Sequence, residues 1–180
     1  MATLAKAVVT DGKGAFELAE VSISDPQLGE VLVEIMASGV CHTDYDSMSW
    51  KRRMIMGHEG AGVVRACGDE VHHVRPGDRV LLNWAIPCSD CYQCRLGAEN
   101  LCERKPSVPE GRIEWRGEGL GSSFQLGTMA THAIVPWQAL VKIDVEIPYS
   151  SAAILGCGVM TGFGSVVHVA QVQMGASVVV

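Results

Sequence analysis

Positive charge is in short supply along this chain: 14 Lys and Arg stand against 20 Asp and Glu, for a formal charge of -6. Affinity for a phosphate backbone rests on clustered cations, so this balance argues against a nucleic-acid partner. The one basic run, Lys51-Arg52-Arg53, reads as a solvated loop. The opening MATLAKAVVTDGKG has no long apolar run after its lysine, so a signal peptide is unsupported. From Ile147 to Val180 there is no Asp, Glu, Lys or Arg at all. A stretch of that length satisfies a membrane window, and Gly158 and Gly162 add a small-xxx-small spacing. Pro148, the glycines at 156, 158, 162 and 164, and Gln171 and Gln173 break it into a turn, a short helix and a strand, so a buried soluble segment is expected and no membrane partner.

What remains is apolar and segmented. With 48% hydrophobic content, 180 residues can bury one good core and the start of another. Val31, Val33 and Ile35 alternate as a half-buried strand requires. Further strands are expected near KAVV at the start, at 61–67, 78–82, 131–135 and 139–143, with turns at Pro76-Gly77-Asp78 and in the Gly-rich stretch 111–121. Short strands at this spacing suggest a closed or partly closed β body. Beyond it, Val159, Phe163, Val166, Val167 and Ala170 follow helical spacing, and Ser150 or Ser151 is a candidate cap for a short helix just before it. The run 175–180 reads as a buried strand opening a parallel sheet, whose neighbours would belong to a second domain.

Seven cysteines is an odd count, and three of them are spaced by two-residue gaps, which suits metal thiolates in a reducing, cytoplasmic compartment better than disulfides. Cys88, Cys91, Cys94 and Cys102 can surround one tetrahedral ion unaided. Zinc fits best, and four thiolates leave no open position, so this site is a structural clamp. Chemistry must then lie in the glycine-flanked segments around Cys41, His58 and Cys157. Together these would give two thiolates and one imidazole with a fourth position free, the arrangement of a catalytic zinc.

These motifs are GVCHTD at 39–44, GHEGAGVV at 57–64, VRPGDRV at 74–80, the four-cysteine lobe and GCGVMTGFGS at 156–165. On them the chain resembles the zinc-dependent alcohol dehydrogenases of the medium-chain dehydrogenase/reductase superfamily. The resemblance implies a mainly β fold: a GroES-like β-barrel catalytic domain over 1–150 with a zinc lobe at 88–102, then a linking helix and first strand, 151–180, of a Rossmann α/β domain whose Gly-x-Gly-x-x-Gly turn would lie beyond Val180. It implies two Zn2+ per chain, NAD or NADP as cofactor, a small alcohol or aldehyde substrate and a homo-oligomer, dimer or tetramer. It marks Cys41, His58 and Cys157 as catalytic zinc ligands, Glu59 as the near-zinc glutamate, Asp44 as the carboxylate that orients the imidazole, and Thr43 as the hydroxyl that receives the alcohol proton. His42 and Thr161 would meet the cofactor, and Trp84 would wall the substrate pocket. Relatives often place a relay histidine where Asp46 stands, and a carboxylate is a weaker base at neutral pH. The implied activity is hydride transfer between an alcohol and NAD(P). The alternatives are a formaldehyde or thiol-adduct dehydrogenase of the same superfamily, and a zinc-stabilised binding module without chemistry.

Overall fold

A computed structural model describes residues 2–179. Two antiparallel hairpin systems dominate it. The first sheet runs in the order β8-β7-β2-β1-β4-β9, from β1 (Thr3–Thr10), β2 (Phe16–Ile23), β4 (Met54–Ile55), β7 (Ile113–Trp115), β8 (Glu118–Gly119) and β9 (Gly121–Ser122). The second runs β10-β3-β5-β6-β11, from β3 (Glu30–Ser38), β5 (Gly60–Cys67), β6 (Arg79–Leu82), β10 (His132–Pro136) and β11 (Leu140–Lys142). Two short α-helices lie between strands, α1 (His42–Ser47) and α2 (Tyr92–Arg95), and two follow the last strand, α3 (Tyr149–Ala153) and α4 (Gly158–Gly164). The expected barrel-like β body is present.

Alternation decides which face each strand buries. Ala5, Ala7 and Val9 of β1 and Ala19, Val21 and Ile23 of β2 turn inward, where they meet Leu32 of β3 and Ile134 of β10 in one core between the sheets. Val31 and Val33, one step out of phase with Leu32, enter a second core with Val64, Val80, Leu82 and Val135. The second sheet is therefore buried on both sides. That is why Val31-Leu32-Val33 is an unbroken apolar triplet rather than the half-buried strand its alternation suggests. A bulge in the β3–β5 pairing beyond Ile35 precedes the segment that carries Gly39 and Cys41 to the sheet edge.

Several expectations need correction. The stretch 111–121 is not only turn: β7 and β8 form a hairpin there, with Glu114 opposite Gly119, because Ile113 and Trp115 have a core to enter. Strand β2 lacked an obvious signal, since exposed Phe16 and Leu18 obscure the inward alternation of Ala19, Val21 and Ile23. Pro148, not Ser150 or Ser151, caps α3, as suits a residue with no backbone N–H to satisfy. Residues 175–179 form no strand and are exposed, because a parallel strand needs a neighbour to pair with; Val180 lies outside the described residues. Among the described residues no single helix is long and apolar enough to cross a membrane; Tyr149–Gly156 and Gly158–Val169 pass only as a pair bent by 53°.

Candidate metal centre and active site

Three separate segments converge at one edge of the second sheet. Cys41 precedes α1, His58 and Glu59 lie between β4 and β5, and Cys157 sits at the break before α4. One donor atom each from Cys41, His58, Glu59 and Cys157 lies within 4.8 Å of all the others. Donors about 2.0–2.3 Å from a tetrahedral ion stand roughly 3.3–3.8 Å apart, so a small contraction closes this set around zinc. The donor chemistry, two sulfurs with one imidazole and one carboxylate, suits that ion.

Asp44 organises the cluster from beneath. Its Oδ1 lies 3.0 Å from His58 Nδ1, with both side chains 2% exposed. Its Oδ2 accepts the Cys41 backbone N–H at 2.9 Å. One carboxylate thus ties the imidazole to the thiol-bearing segment, and by occupying Nδ1 it leaves Nε2 for a metal. Burial works against a charged imidazole, but the Asp44 carboxylate and then Cys41 outweigh it and raise His58 above its ordinary value. Burial likewise pushes the Cys41 thiol up, yet the Thr43 backbone N–H and hydroxyl, with His58, hold it below the usual thiol range. Cys157 goes the other way: burial, then the charges of Cys41 and Glu59, push it up to about 12. Two sulfurs and a carboxylate crowded together repel as anions, and a bound cation removes that cost.

Glu59 also fixes the third segment. Its Oε1 accepts the Gly158 backbone N–H at 3.2 Å, which holds the Cys157 turn against the β4–β5 connection. Its carboxylate packs directly over Gly39, where any side chain would strike Oε2. The Glu59 carboxylate thus lies within reach of the same point as the two thiols and the imidazole, where the sequence-based expectation had only three donors.

The remaining expected residues surround this cluster. Thr43 is half-buried in the first turn of α1, two residues after Cys41. His42 and Asp46, one turn apart on α1, are exposed, with Nδ1 and Oδ2 3.4 Å apart. Thr161 is exposed on α4, and its N–H reaches the Cys157 carbonyl at 2.8 Å. Trp84 stands beside Phe124, ring centroids 5.5 Å apart, and carries the Lys105 ammonium 5.1 Å above its ring. Phe124 itself escaped the sequence reading, although its ring is 4.9 Å from His58 and 5.8 Å from Trp50. It holds a left-handed backbone, φ 50°, that nothing in the local sequence requires. A lone aromatic inside a Gly and Ser stretch offered no periodic signal.

The lobe is a second, self-contained cluster. The four sulfurs of Cys88, Cys91, Cys94 and Cys102 lie within 4.8 Å of one another, and Cys88 and Cys94 are 4.0 Å apart, about twice the length of a disulfide. That separation is close to the edge of a zinc tetrathiolate tetrahedron. Backbone amides aim at the sulfurs: Cys88 N–H to Cys102 Sγ and Cys91 N–H to Cys88 Sγ, both at 3.2 Å. The Glu103 and Cys94 amides bring the Cys91 thiol down to about 6, whereas burial and its sulfur neighbours push Cys94 up to about 12. Outside the sulfurs, Asp90 accepts from Arg95 at 2.6 Å and Arg104 at 3.0 Å, bracing both ends of the loop.

The profile of the alcohol dehydrogenase GroES-like domain matches residues 27–145. The chain belongs to that family. The matched region is the GroES-like part of medium-chain dehydrogenases and reductases. Among curated relatives, S-(hydroxymethyl)glutathione dehydrogenase of Escherichia coli O1:K1 is 37% identical over 177 residues, covering 91% of this chain and 48% of the relative. Among solved structures, an alcohol dehydrogenase zinc-binding domain protein from Burkholderia ambifaria superposes with TM-score 0.88 at 30% identity, covering 98% of this chain and 52% of the other. Benzyl alcohol dehydrogenase from Acinetobacter calcoaceticus gives 0.81 at 31% identity, covering 97% and 51%. The chain spans about half the length of the curated relatives it matches.

Proposed function

We propose that this GroES-like chain forms the metal-bearing catalytic part of a zinc-dependent oxidoreductase that moves a hydride between an alcohol and NAD(P). The observation that carries this reading is the meeting of Cys41, His58, Glu59 and Cys157, three distant segments, around one point, with Asp44 bound to the back of His58. Zinc held there would act as the electrophile that polarises the substrate oxygen, and the nicotinamide would supply the hydride acceptor. Asp44 keeps His58 in the tautomer that offers Nε2. The Thr43 hydroxyl, two residues after Cys41, would receive the alcohol proton, with Asp46 on the exposed face of α1 as the next acceptor. Glu59 holds Gly158, and so the Cys157 turn, in place, and its carboxylate can take the fourth position when substrate is away. His42 and Thr161, both exposed, face the cofactor. Trp84, Phe124 and Trp50 wall the alcohol site with aromatic surface.

The lobe carries the second ion and holds residues 88–102 as a clamp. A thiol-adduct substrate is the second reading, favoured by the S-(hydroxymethyl)glutathione dehydrogenase relatives. Metal analysis tests the assignment: two zinc equivalents per chain, falling to one in Cys41→Ala with the lobe ion retained. One ion in the parent, unchanged by that substitution, would refute it. An assay of the complete protein with NAD+ and NADP+ over primary, aromatic and secondary alcohols and S-(hydroxymethyl)glutathione then ranks the substrates; no hydride transfer with any of them leaves a binding module.

A further inference from the structure

A cavity of about 420 Å³ opens away from both cysteine clusters, between the loop 107–112, the β9 segment and residues 52–53. Its size lies within the range of small-molecule sites. The floor is apolar, formed by Ile113, Leu120 and Ile134 at the margin of the inter-sheet core, with Val108 beside them. The rim is polar and mainly cationic: Arg52, Arg53 and Arg112 against Glu110. Two of these guanidinium groups are already engaged. Arg53 pairs with Glu118 at 2.7 Å, and Arg112 grips Glu30 through Nε and Nη2 at 2.9–3.2 Å.

Arg52 is different. Eight of the nine arginines donate to or pair with a carboxylate or a backbone carbonyl; among the described residues Arg52 alone has no such acceptor. Its guanidinium is nevertheless positioned: it lies over the bare Cα of Gly121, where a methyl would come 2.6 Å from Nη2. A planar cation at the exposed rim of a cavity, left unpaired, is the complement of a carboxylate, which it can bind through two parallel hydrogen bonds. The apolar floor beneath it calls for a hydrocarbon body on the same molecule.

From this we infer that the cavity is a binding site for a small amphipathic carboxylate, its acid on Arg52 and its apolar body on Ile113, Leu120 and Ile134. The site is independent of the metal reading, because none of its lining residues belongs to either cluster. It is nonetheless close to one of them: Gln125 in its wall follows Phe124, whose ring rests on His58, and Arg52 follows Trp50 by two residues.

The test is a titration of the zinc-loaded 180-residue chain with 4-phenylbutyrate, at a concentration where light scattering shows it monomeric, followed by amide NMR. Shifts are expected at 107–113 and 119–125. Arg52→Gln should weaken binding about tenfold or more, the effect of losing a charged hydrogen-bond pair. Gly121→Ala should do the same while keeping the charge, since its methyl displaces the guanidinium; unchanged spectra elsewhere certify the fold of both variants. The neutral 4-phenylbutyramide should bind correspondingly less. The inference is overturned by shifts centred on Cys41 and His58 instead, by an affinity indifferent to Arg52→Gln, by inorganic phosphate binding as tightly as the acid, or by no response up to roughly 10 mM.

Discussion

Asp44 shows how much one side chain can decide. It is buried, and it spends one oxygen on the imidazole and the other on the backbone of the neighbouring donor segment. Asp44→Ala would leave His58 Nδ1 and the Cys41 amide without their acceptor and free the ring to turn. Loss of such a supporting carboxylate is expected to weaken zinc at the Cys41 site about 10–100-fold. Competition with a chromophoric chelator would measure this, with the lobe ion as internal reference; equal loss from both sites would mean general unfolding instead. Asp44 was named at the sequence level only through the resemblance of GVCHTD to the family motif, since the imidazole it supports lies 14 residues away. Phe124 and Arg52 were not, because their importance comes from what the folded chain sets opposite them, an imidazole in one case and a bare glycine in the other.

Between elements, a single carboxylate again does the joining. Asp78, in the turn before β6, accepts from Lys142 of β11 at 3.1 Å and from the Arg75 backbone N–H at 3.0 Å. Burial raises its pKa, but Lys142 and the Arg75 amide outweigh that and hold it below its ordinary value of 3.8. A depressed folded-state pKa means the stabilisation is whole above the unfolded value and fades as pH falls through the folded one. Asp78→Asn should therefore melt below the parent at pH 7, with the gap narrowing once the pH drops under about 3.8. Thermal melts by circular dichroism at pH 7, 4 and 2 would reveal it, and a constant gap would sink the idea. Short apolar strands between clear turns, such as β3, β5 and β10, were legible in the sequence, although not that β3 is buried on both faces. The β7–β8 hairpin was not, since the glycines that signal turns also allow a tight two-stranded ribbon.

At the scale of the molecule, the two sheets enclose one core and bury a second behind the β3 sheet, whereas the last described helical stretch has nothing against it. Val159, Phe163, Val166, Val167 and Val169 are all exposed there, Val169 at 83%. Met174, Val178 and Val179 beyond it are exposed as well. A contiguous patch of this kind seeks a partner surface, so the isolated 180-residue chain is expected to self-associate. Light scattering that finds a monodisperse monomer at high concentration would contradict this. The barrel could be foreseen because periodicity 2 is written strand by strand. The exposure of the helix could not, since its spacing is equally that of a buried one.

The two cysteine sets also differ in how far apart their donors lie along the polypeptide. All four sulfurs of the lobe leave the ribosome between residues 88 and 102, whereas the other donor set must wait for Cys157. At 5–20 residues per second, that wait after Cys102 lasts about 3–11 s. If both clusters hold zinc as proposed, the lobe has all its donors during synthesis while the other site still lacks one, so the order of translation would favour filling the clamp first.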